Sequence, residues 1–533
     1  MRKLLFVALS AATACIVVWG ADWAGQSGNP QRDGWARAEK AFTRDNAKNI
    51  ELLYKFQAEN QARGLQSLTS PIIDGNLITY LGFKEMLVFG GSDDNVYSVD
   101  ADIDRIIWKR HFEYQGLKPR TAPTALCPGG LTAALAMPGS STAVGRGPSG
   151  RGPAAAGRGA AAGRGAPAPA APNAGRGAAG LFATGFGRSG LFLAVSSDGY
   201  LHVLNTSTGA DRIPPVKFLP PNAKVGSLNL NDGVIYAATE DNCGGNANTL
   251  YALDMNENES GESPHKIASI PALGGAAIGA DGTVYAQGNG AILAMTKDLK
   301  VTDSFTLPGT SSRPTATPVV FNSGGRDLMV AAGPGGRLYL LDSKSLGGPD
   351  RHTPLYQTEP VASPESKHAG DGFAGAFSSW EDPDNNTRWI YASLWGPASN
   401  SPHGSVVAFK LEDAGGHPRL TQAWTSRDML SPAPTATANG LVFALSTGES
   451  NREAKPNGKP YSVAEREKMA SHATLYVLDG ETGAELYSSG NIAQTFSHNS
   501  GLAVANRRIY FSTHDNTVYA FGFLAEQPQL TGK

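Results

Sequence analysis

The sequence is poor in cysteine and in charge. Its 533 residues include three cysteines, and none belongs to a Cys-x-x-Cys-His motif, so no covalently attached haem is encoded. A formal net charge of −2 argues against a role at nucleic acid or at a charged membrane surface. The sequence also offers no recognisable Ser/His/Asp set, glycine-rich phosphate loop or His-x-x-x-His spacing.

Long apolar runs are missing too, with one exception. Residues 4–19 are almost entirely apolar and follow Arg2 and Lys3. A basic start, an apolar stretch too short for a comfortable membrane span and small residues after it predict a secretory signal peptide over residues 1–21. The mature chain is then expected to be periplasmic or secreted, without a transmembrane segment. Two alternatives stay open: lipoprotein anchoring at Cys15, and an uncleaved anchor.

What the sequence has in abundance is an internal repeat. A short run of alternating apolar residues ends in Leu-Asp or a close variant and is followed by a turn and a second short strand. Period-two alternation predicts a strand with one face packed against a neighbour; Asp or Asn caps the turn, and Gly supplies the positive φ that a tight turn needs. The eight copies occupy residues 96–100, 201–205, 250–254, 291–295, 338–342, 406–410, 475–479 and 518–521.

Each copy follows another strand pair, such as residues 232–238, so four strands per unit repeat around an axis. The sequence therefore predicts an all-β fold, an eight-bladed β-propeller of four-stranded antiparallel blades. No strand follows the last copy, while residues 50–56 form a lone strand before the first unit, so the N-terminal strand is expected to complete the last blade. Seven blades remain an alternative, because the fourth copy is degenerate and the second is interrupted.

The predicted propeller covers residues 50–523, after a lead-in at 22–49 and before a C-terminal tail at 524–533. An insert at 138–180 consists almost entirely of Ala, Gly, Pro and Arg. Such a composition cannot bury enough apolar surface to offset its ordering entropy, which predicts a disordered loop. Contact with a polyanion or a cell wall is the alternative role. Helix is expected only as a short turn near residues 462–469.

The repeat, Val-Tyr-Ala-Leu-Asp, Thr-Gly and then Trp, resembles that of the pyrroloquinoline-quinone (PQQ) dehydrogenases and their non-catalytic relatives. The start of the mature chain, with Asp22-Trp23 and the segments 28–32 and 46–52, is similar to the lead-in of those enzymes. For the catalytic members the resemblance implies PQQ on the ring axis beside Ca²⁺, which a carboxylate and an amide ligate, with an Asp as base. No residue of this sequence can be matched to those ligands or to that base.

The resemblance leaves the function open. Many alcohol-oxidising members carry a disulfide between adjacent cysteines over the cofactor, which this chain lacks, although some sugar-oxidising relatives lack it too. Another relative, the outer-membrane assembly scaffold, is an exported propeller that binds partners without a cofactor. The likeness covers nearly the whole mature chain apart from the insert.

Residues at the predicted starts of the innermost strands are candidate ligands for a molecule in the central channel. If these starts are in register, Arg120, Arg313 and His498 point into one channel mouth. Guanidinium groups clamp carboxylates with two hydrogen bonds, and PQQ is a tricarboxylate. Hydrogen bonding from blade to blade is the alternative role. Trp380 could stack on a planar cofactor, with core packing between blades as its alternative.

Cys127 and Cys243 form an even pair once Cys15 leaves with the signal peptide. In an oxidising compartment such a pair is interpreted as a disulfide that staples adjacent blades; two free buried thiols are the alternative. Residues 382–386 are rich in oxygen ligands but lack the spacing of a known Ca²⁺ loop, and turn chemistry accounts for them. No metal ligand and no catalytic residue is assigned.

Two functional hypotheses result. In the first, the exported PQQ-like propeller is a binding or scaffolding module for a periplasmic or cell-envelope protein, or for a small ligand in the channel. In the second, it is a Ca²⁺/PQQ-dependent alcohol or sugar dehydrogenase that passes electrons to a separate acceptor. Inward carboxylates with an Asn near Arg120, Arg313 and His498 would favour the enzyme, and an axis lined by small or apolar residues would favour the scaffold.

Overall fold

The structure is a computed structural model that describes most of residues 21–524. The predicted signal peptide with Cys15, Arg313, nearly all of the predicted insert and nearly all of the tail lie outside the described residues. The described residues are 21–79, 82–116, 118–138, 190–256, 266–309, 316–362, 372–396, 401–413 and 415–524, without the side chains of 76–79 and 82–83.

Eight antiparallel sheets form the blades of a propeller, as the sequence predicted. The first strand, β1 (Glu51–Gln57), belongs to the last blade. Blade 1 contains β2 (Ile72–Thr79), β3 (Gly82–Gly91), β4 (Asn95–Asp100) and β5 (Arg105–His111). Blade 2 contains β6 (Leu191–Val195), β7 (Tyr200–Asn205) and β8 (Val216–Lys217). Blade 3 contains β9 (Lys224–Asn231), β10 (Val234–Glu240), β11 (Thr249–Asp254) and β12 (Lys266–Pro271).

The next three blades repeat this arrangement. Blade 4 contains β13 (Ala277–Ile278), β14 (Val284–Gly288), β15 (Ala291–Met295) and β16 (Val301–Thr306). Blade 5 contains β17 (Val319–Ser323), β18 (Arg326–Gly333), β19 (Arg337–Asp342) and β20 (Tyr356–Gln357). Blade 6 contains β21 (Ser378–Glu381), β22 (Arg388–Trp395), β23 (Gly404–Asp413) and β24 (Pro418–Thr425).

The last two blades complete the ring. Blade 7 contains β25 (Ala436–Ala438), β26 (Leu441–Ser446), β27 (Thr474–Asp479) and β28 (Glu485–Ser488), with the helix α1 (Val463–Met469) between β26 and β27. Blade 8 contains β29 (Ala503–Ala505), β30 (Arg508–Ser512), β31 (Thr517–Gly522) and, as its fourth strand, β1. Short 3-10 turns lie at Ala47–Asn49 and Cys243–Gly245.

Closure of the ring by the N-terminal strand is confirmed. β1 pairs antiparallel with β31, from Glu51 opposite Gly522 to Gln57 opposite Thr517. One sheet therefore joins the two ends of the chain, and the eight blades form a closed circle. In blade 2 the innermost position is held by a bridge between Ala136 and Leu193 in place of a full strand.

Every copy of the sequence repeat is the third strand of its blade, counted from the axis. The predicted turn chemistry is present: Asp479 accepts hydrogen bonds from the backbone N–H groups of Glu481 and Thr482, and Gly483 has a φ of +73°. The alternation predicted one packed face, but all residues of β4, β27 and β31 are buried. The reason is that each blade packs between two others.

The predicted short helical turn is α1. Ser462 accepts a hydrogen bond from the backbone of Glu465, whose carboxylate accepts one from the backbone N–H of Ser462 in return. This capping box satisfies two groups that the start of a helix leaves without partners. Among the described residues, no helix has the length and apolar character needed to cross a membrane.

Residues 21–39 of the lead-in make one circuit around the inside of the ring. They contact the innermost strands of successive blades, in blade order. The hydrogen bonds join Trp23 to Ile73, Ala24 to Met137, Arg32 to Leu228, Pro30 to Ile278, Gln31 to Val320, Asp33 to Ser379, Gly34 and Ala36 to Thr437, and Glu39 to Arg507. The lead-in therefore touches all eight blades at one end of the central channel.

Candidate functional site on the propeller axis

A cavity of about 170 Å³ lies in the central channel, on the far side of the lead-in circuit. All eight blades contribute to its wall, mostly through residues just before or at the start of the innermost strands. The lining residues used below are Gln26, Ala125, Leu126, Lys224, Gly226, Glu240, Asp241, Phe373, Trp395, Pro434, Glu449, Glu453, Arg466, His498 and Asn499.

The floor of the cavity is the lead-in. Gln26 lines it, and its amide oxygen is shielded from solvent and accepts no hydrogen bond from the described residues. Next to it Arg32 is only 2% exposed and donates to the backbone carbonyls of Gln26, Leu228 and Ala276. Burial lowers the pKa of Arg32 to about 10. The guanidinium thus ties the lead-in to blades 3 and 4.

One wall carries a charged group from blade 3. The ammonium of Lys224, at the start of β9, lies 2.7 Å from Asp241 and 4.0 Å from Glu240, at the end of β10. Burial disfavours charged Lys224, but the two carboxylates outweigh it and raise the pKa of the lysine. Burial raises the pKa of Glu240, against the attraction of Lys224. No described residue donates a hydrogen bond to the side-chain carboxylate of Glu240.

The side chain of Glu240 packs directly over Gly226, which has no side chain. A Cβ at Gly226 would lie 1.8 Å from its carboxylate oxygen. Gly226 therefore makes the room that lets Glu240 reach the cavity wall. Any larger residue there would displace the carboxylate.

The opposite wall carries a second charged group, from blades 7 and 8. Blades 3 and 7 face each other across an eight-membered ring. Glu449, in the connection between β26 and β27, accepts hydrogen bonds from Arg466 of α1 and from His498 Nδ1, the latter at 2.8 Å. Both Glu449 and Arg466 are almost fully buried. Burial alone would raise the pKa of Glu449, but His498 and Arg466 together lower it.

Aromatic and apolar side chains fill the wall between the two charged groups. Phe373 and Trp395 of blade 6 and Pro434 before blade 7 line the cavity. The indole N–H of Trp395 donates to the carbonyl of Pro432 at 2.8 Å, which fixes the ring. Phe373 is 2% exposed and packs edge-on against Phe377. The cavity thus offers one apolar side between two ionic ones.

A loop held by a disulfide forms the roof. Residues 112–116 and 118–130 belong to the connection between β5 and blade 2, and Ala125 and Leu126 of this loop line the cavity. The next residue, Cys127, is bonded to Cys243 in the turn between β10 and β11 of blade 3. The predicted disulfide is therefore present, and it fixes the roof to the blade that carries Lys224.

The structure brings one of the four predicted site residues to the cavity. His498 lines it. Arg120 does not, because the chain continues as a loop to residue 130 and the guanidinium binds Asp93 and Asp94, each at 3.1 Å. Trp380 is 4% exposed and packs between blades 6 and 7 near Gly440. Arg313 lies outside the described residues.

Several lining residues were not identified from the sequence. Lys224 stands at the start of the innermost strand β9, but the sequence analysis did not select it. Glu240 is the last residue of β10, and Asp241 follows it directly. Glu449 comes three residues after the end of β26. Acidic residues at the ends of second strands are the signal that could have found them, since these ends meet at the roofed end of the channel.

The described residues do not fit PQQ and Ca²⁺ as they stand. No group of three or more His, Cys, Asp or Glu among them could hold a metal ion. PQQ is a tricarboxylate, whereas four carboxylates and two permanent cations line the cavity. Arg466 and Lys224 are already engaged with Glu449 and Asp241. An anionic cofactor would therefore meet a wall of like charge.

Comparison with known proteins supports the fold. No protein-family model matches the sequence, and no curated protein matches it. A quinohemoprotein alcohol dehydrogenase from Pseudomonas putida HK5 matches with a TM-score of 0.56 and 10% identity, over 96% of this chain and 82% of that one. A quinohemoprotein alcohol dehydrogenase from Comamonas testosteroni matches with a TM-score of 0.52 and 13% identity, over 96% of this chain and 82% of that one. A europium-containing methanol dehydrogenase matches with a TM-score of 0.52 and 11% identity, over 94% and 98%. At these identities the likeness is one of fold.

Proposed function

We propose that the protein is an exported binding module that holds a small polar ligand in the cavity on the propeller axis. The observation that carries this proposal is the cavity itself, with a floor from the lead-in, a disulfide-held roof and charged groups on opposite walls. Binding pockets typically combine apolar walls with a few polar groups that fix orientation. Phe373 and Trp395 supply the first feature, and Lys224, Glu240 and Glu449 supply the second.

Export is part of the proposal. The disulfide between Cys127 and Cys243 supports it, because structural disulfides persist in oxidising compartments. A protein partner has less support from the described surface. Its exposed large apolar side chains are spread over four blades and the C-terminal end, at Ile103, Ile106, Ile267, Val301, Leu355 and Leu524.

One observation favours the dehydrogenase alternative. Inward carboxylates and Asn499, next to His498, line the channel, as that alternative expects. The pairing of Glu449 with Arg466 and His498 counts against it, because hydrogen-bond donors of the protein already occupy both carboxylate oxygens. The binding module therefore remains the function that this geometry supports best.

Fluorescence of Trp395 tests the proposal. The protein has eight tryptophans, so the difference between the wild type and Trp395→Phe isolates the emission of this tryptophan in the cavity wall. Amines, carboxylates and neutral polyols are titrated separately, and PQQ with Ca²⁺ forms a further arm. Trp108→Phe is the matched control, because Trp108 lies on an outer strand between blades 1 and 2.

We expect one compound class to produce a saturable change in emission that is lost in Trp395→Phe and kept in Trp108→Phe. If every class leaves the emission of Trp395 unchanged, the cavity is not a binding site and the proposal fails. A change that requires PQQ and Ca²⁺ together would transfer support to the dehydrogenase.

A further inference from the structure

We infer that the disulfide between Cys127 and Cys243 is a reduction site that controls entry to the axial cavity. A dithiol that reduces it frees the tip of the roof, residues 122–126, and opens the cavity. This inference rests on the proposed function, because it concerns access to the same site. Its basis is the way in which each part of the roof is held.

The roof is anchored by hydrogen bonds on both sides of its tip. Before the tip, the backbone N–H of Thr121 donates to the side-chain oxygen of Asn222 at 3.1 Å. The guanidinium of Arg63 donates to the carbonyl of Thr121 at 2.8 Å and, after the tip, to the carbonyl of Pro128 at 3.0 Å. None of these bonds involves a cysteine, so they hold the two ends of the tip whether the disulfide is oxidised or reduced.

The tip between these anchors depends on the disulfide. Residues 122–124 are exposed, and the hydrogen bonds of Thr124 all join it to Cys127 within the loop. The carbonyl of Thr124 also lies against Gly64, where the absence of a side chain makes room for it. The covalent link from the tip to blade 3 is the bond from Cys127 to Cys243. Once this bond is broken, the tip is free to move while its ends stay in place.

Movement of the tip affects the end of the channel at which a ligand enters. The opposite end is crossed by the lead-in, which forms hydrogen bonds to all eight blades and includes the buried Arg32. At the roofed end, Ala125 and Leu126 of the tip line the cavity. Displacement of these two residues would therefore widen the entrance.

One of the two sulfur atoms is open to attack by a thiol. Cys243 is only 2% exposed, whereas Cys127 is partly exposed. A thiolate of the dithiol attacks Sγ of Cys127, which forms a mixed disulfide and releases Cys243 as a thiolate. The second thiol of the reductant then displaces Cys127. Two electrons pass to the protein, the released thiolates take up the two protons of the dithiol, and the reductant leaves as a disulfide.

Quenching of tryptophan emission by acrylamide tests this inference without a ligand. The difference between the wild type and Trp395→Phe gives the quenching of Trp395 in the cavity wall. The difference between the wild type and Trp424→Phe is the matched control, because Trp424 lies on the outermost strand of the same blade and bonds to Gly480. The purified protein is measured before and after treatment with dithiothreitol. Alkylation and mass spectrometry follow the reduction of Cys127 and Cys243.

We expect reduction to raise the quenching constant of Trp395 about twofold, because the tip no longer shields the cavity, and to leave that of Trp424 unchanged. Reoxidation with oxidised glutathione should restore the original value. The double variant Cys127→Ser/Cys243→Ser should show the high value with and without dithiothreitol, and far-ultraviolet circular dichroism checks that its blades are folded.

Three results would overturn the inference: a disulfide that dithiothreitol leaves intact in the folded protein, an unchanged quenching constant of Trp395 after reduction, or an equal rise for Trp424. If compounds that change Trp395 emission bind at the same rate in both redox states, the proposed function stands and the control of entry is wrong. If reduction raises the quenching of Trp395 but no compound changes its emission, the reduction site stands and the proposed function fails.

Discussion

The indole N–H of Trp424, on the outermost strand of blade 6, donates a hydrogen bond to the carbonyl of Gly480 in blade 7, at 3.0 Å. The ring lies against Gly483, where an added Cβ would meet it at 2.7 Å. Trp108 makes the same contact with blade 2, through Thr206 and Gly209. In both places a tryptophan on the outermost strand of one blade packs against a turn glycine of the next blade. We call this contact between blades the tryptophan clamp.

The Trp424 clamp predicts a graded loss of stability. Trp424→Ala should lower the free energy of unfolding by about 3–5 kcal/mol, since it empties a packed site. Trp424→Phe removes the hydrogen bond and should lower the free energy of unfolding by about 1 kcal/mol. Gly483→Ala should also lower it, because the φ of +73° at this position disfavours a side chain. Urea unfolding followed by circular dichroism measures these losses. Equal stability of Trp424→Ala and the wild type would contradict the clamp.

We predict that the titration of Glu85 makes the free energy of unfolding depend on pH. Burial raises its pKa to about 7, against the attraction of Arg508, whose Nη1 lies 2.9 Å away. The folded state therefore keeps a proton that the unfolded chain releases above about pH 4.5. The stability contributed by this proton is complete at low pH and is lost as the pH rises towards 7.

The measurement compares the wild type with Glu85→Gln. Between pH 5 and pH 8, the wild-type free energy of unfolding should fall relative to the variant by about 2 kcal/mol. The exposed Glu113→Gln variant is the control, and its difference from the wild type should not change with pH. A wild-type advantage that grows with pH would show that the Arg508 ion pair dominates instead.

We predict that the guanidinium group of Arg32 contributes strongly to the stability of the cavity floor. Arg32→Ala leaves the carbonyls of Leu228 and Ala276 without this donor, so the free energy of unfolding should fall by about 2–3 kcal/mol. Arg419→Ala, whose side chain is about half exposed on β24, should change it by less than about 0.5 kcal/mol. Urea midpoints compare the two variants. The prediction fails if Arg32→Ala and Arg419→Ala lower the free energy of unfolding equally.

We predict that the disulfide stabilises both the folded protein and the loop that forms the roof of the cavity. It spans 116 residues of sequence, so replacing both Cys127 and Cys243 by Ser should cost about 2–4 kcal/mol. Hydrogen exchange of residues 112–130 should become faster in the double variant, while exchange in β27 should not. Unchanged exchange in the roof would mean that other contacts, such as those of Arg63 with Thr121 and Pro128, hold it alone.

The fold was predictable because its signals are local. Alternating strands, Asp-capped turns and an unpaired strand at each end of the chain are visible within a few residues, and they gave eight blades and their closure by β1. The lead-in circuit was not predictable, since it consists of scattered hydrogen bonds from residues 21–39 to blades throughout the chain, and no regular strand pairing marks it in the sequence.

The cavity was only partly predictable for a related reason. His498 lies at a strand start, where the repeat places it in the channel. Arg120 carries a similar local pattern, but Asp93, Asp94 and the nearby disulfide hold its segment as a loop. Lys224 and Glu449 come from distant parts of the chain, and only the closed ring brings their walls face to face.

A crystal structure of the protein grown with the compound that changes Trp395 emission most strongly tests the central claim most directly. The account predicts electron density for that compound in the axial cavity, in contact with the cavity wall that Trp395 and Lys224 line. A cavity that holds only water at a concentration that saturates the emission change, or a compound bound elsewhere on the molecule, would contradict it.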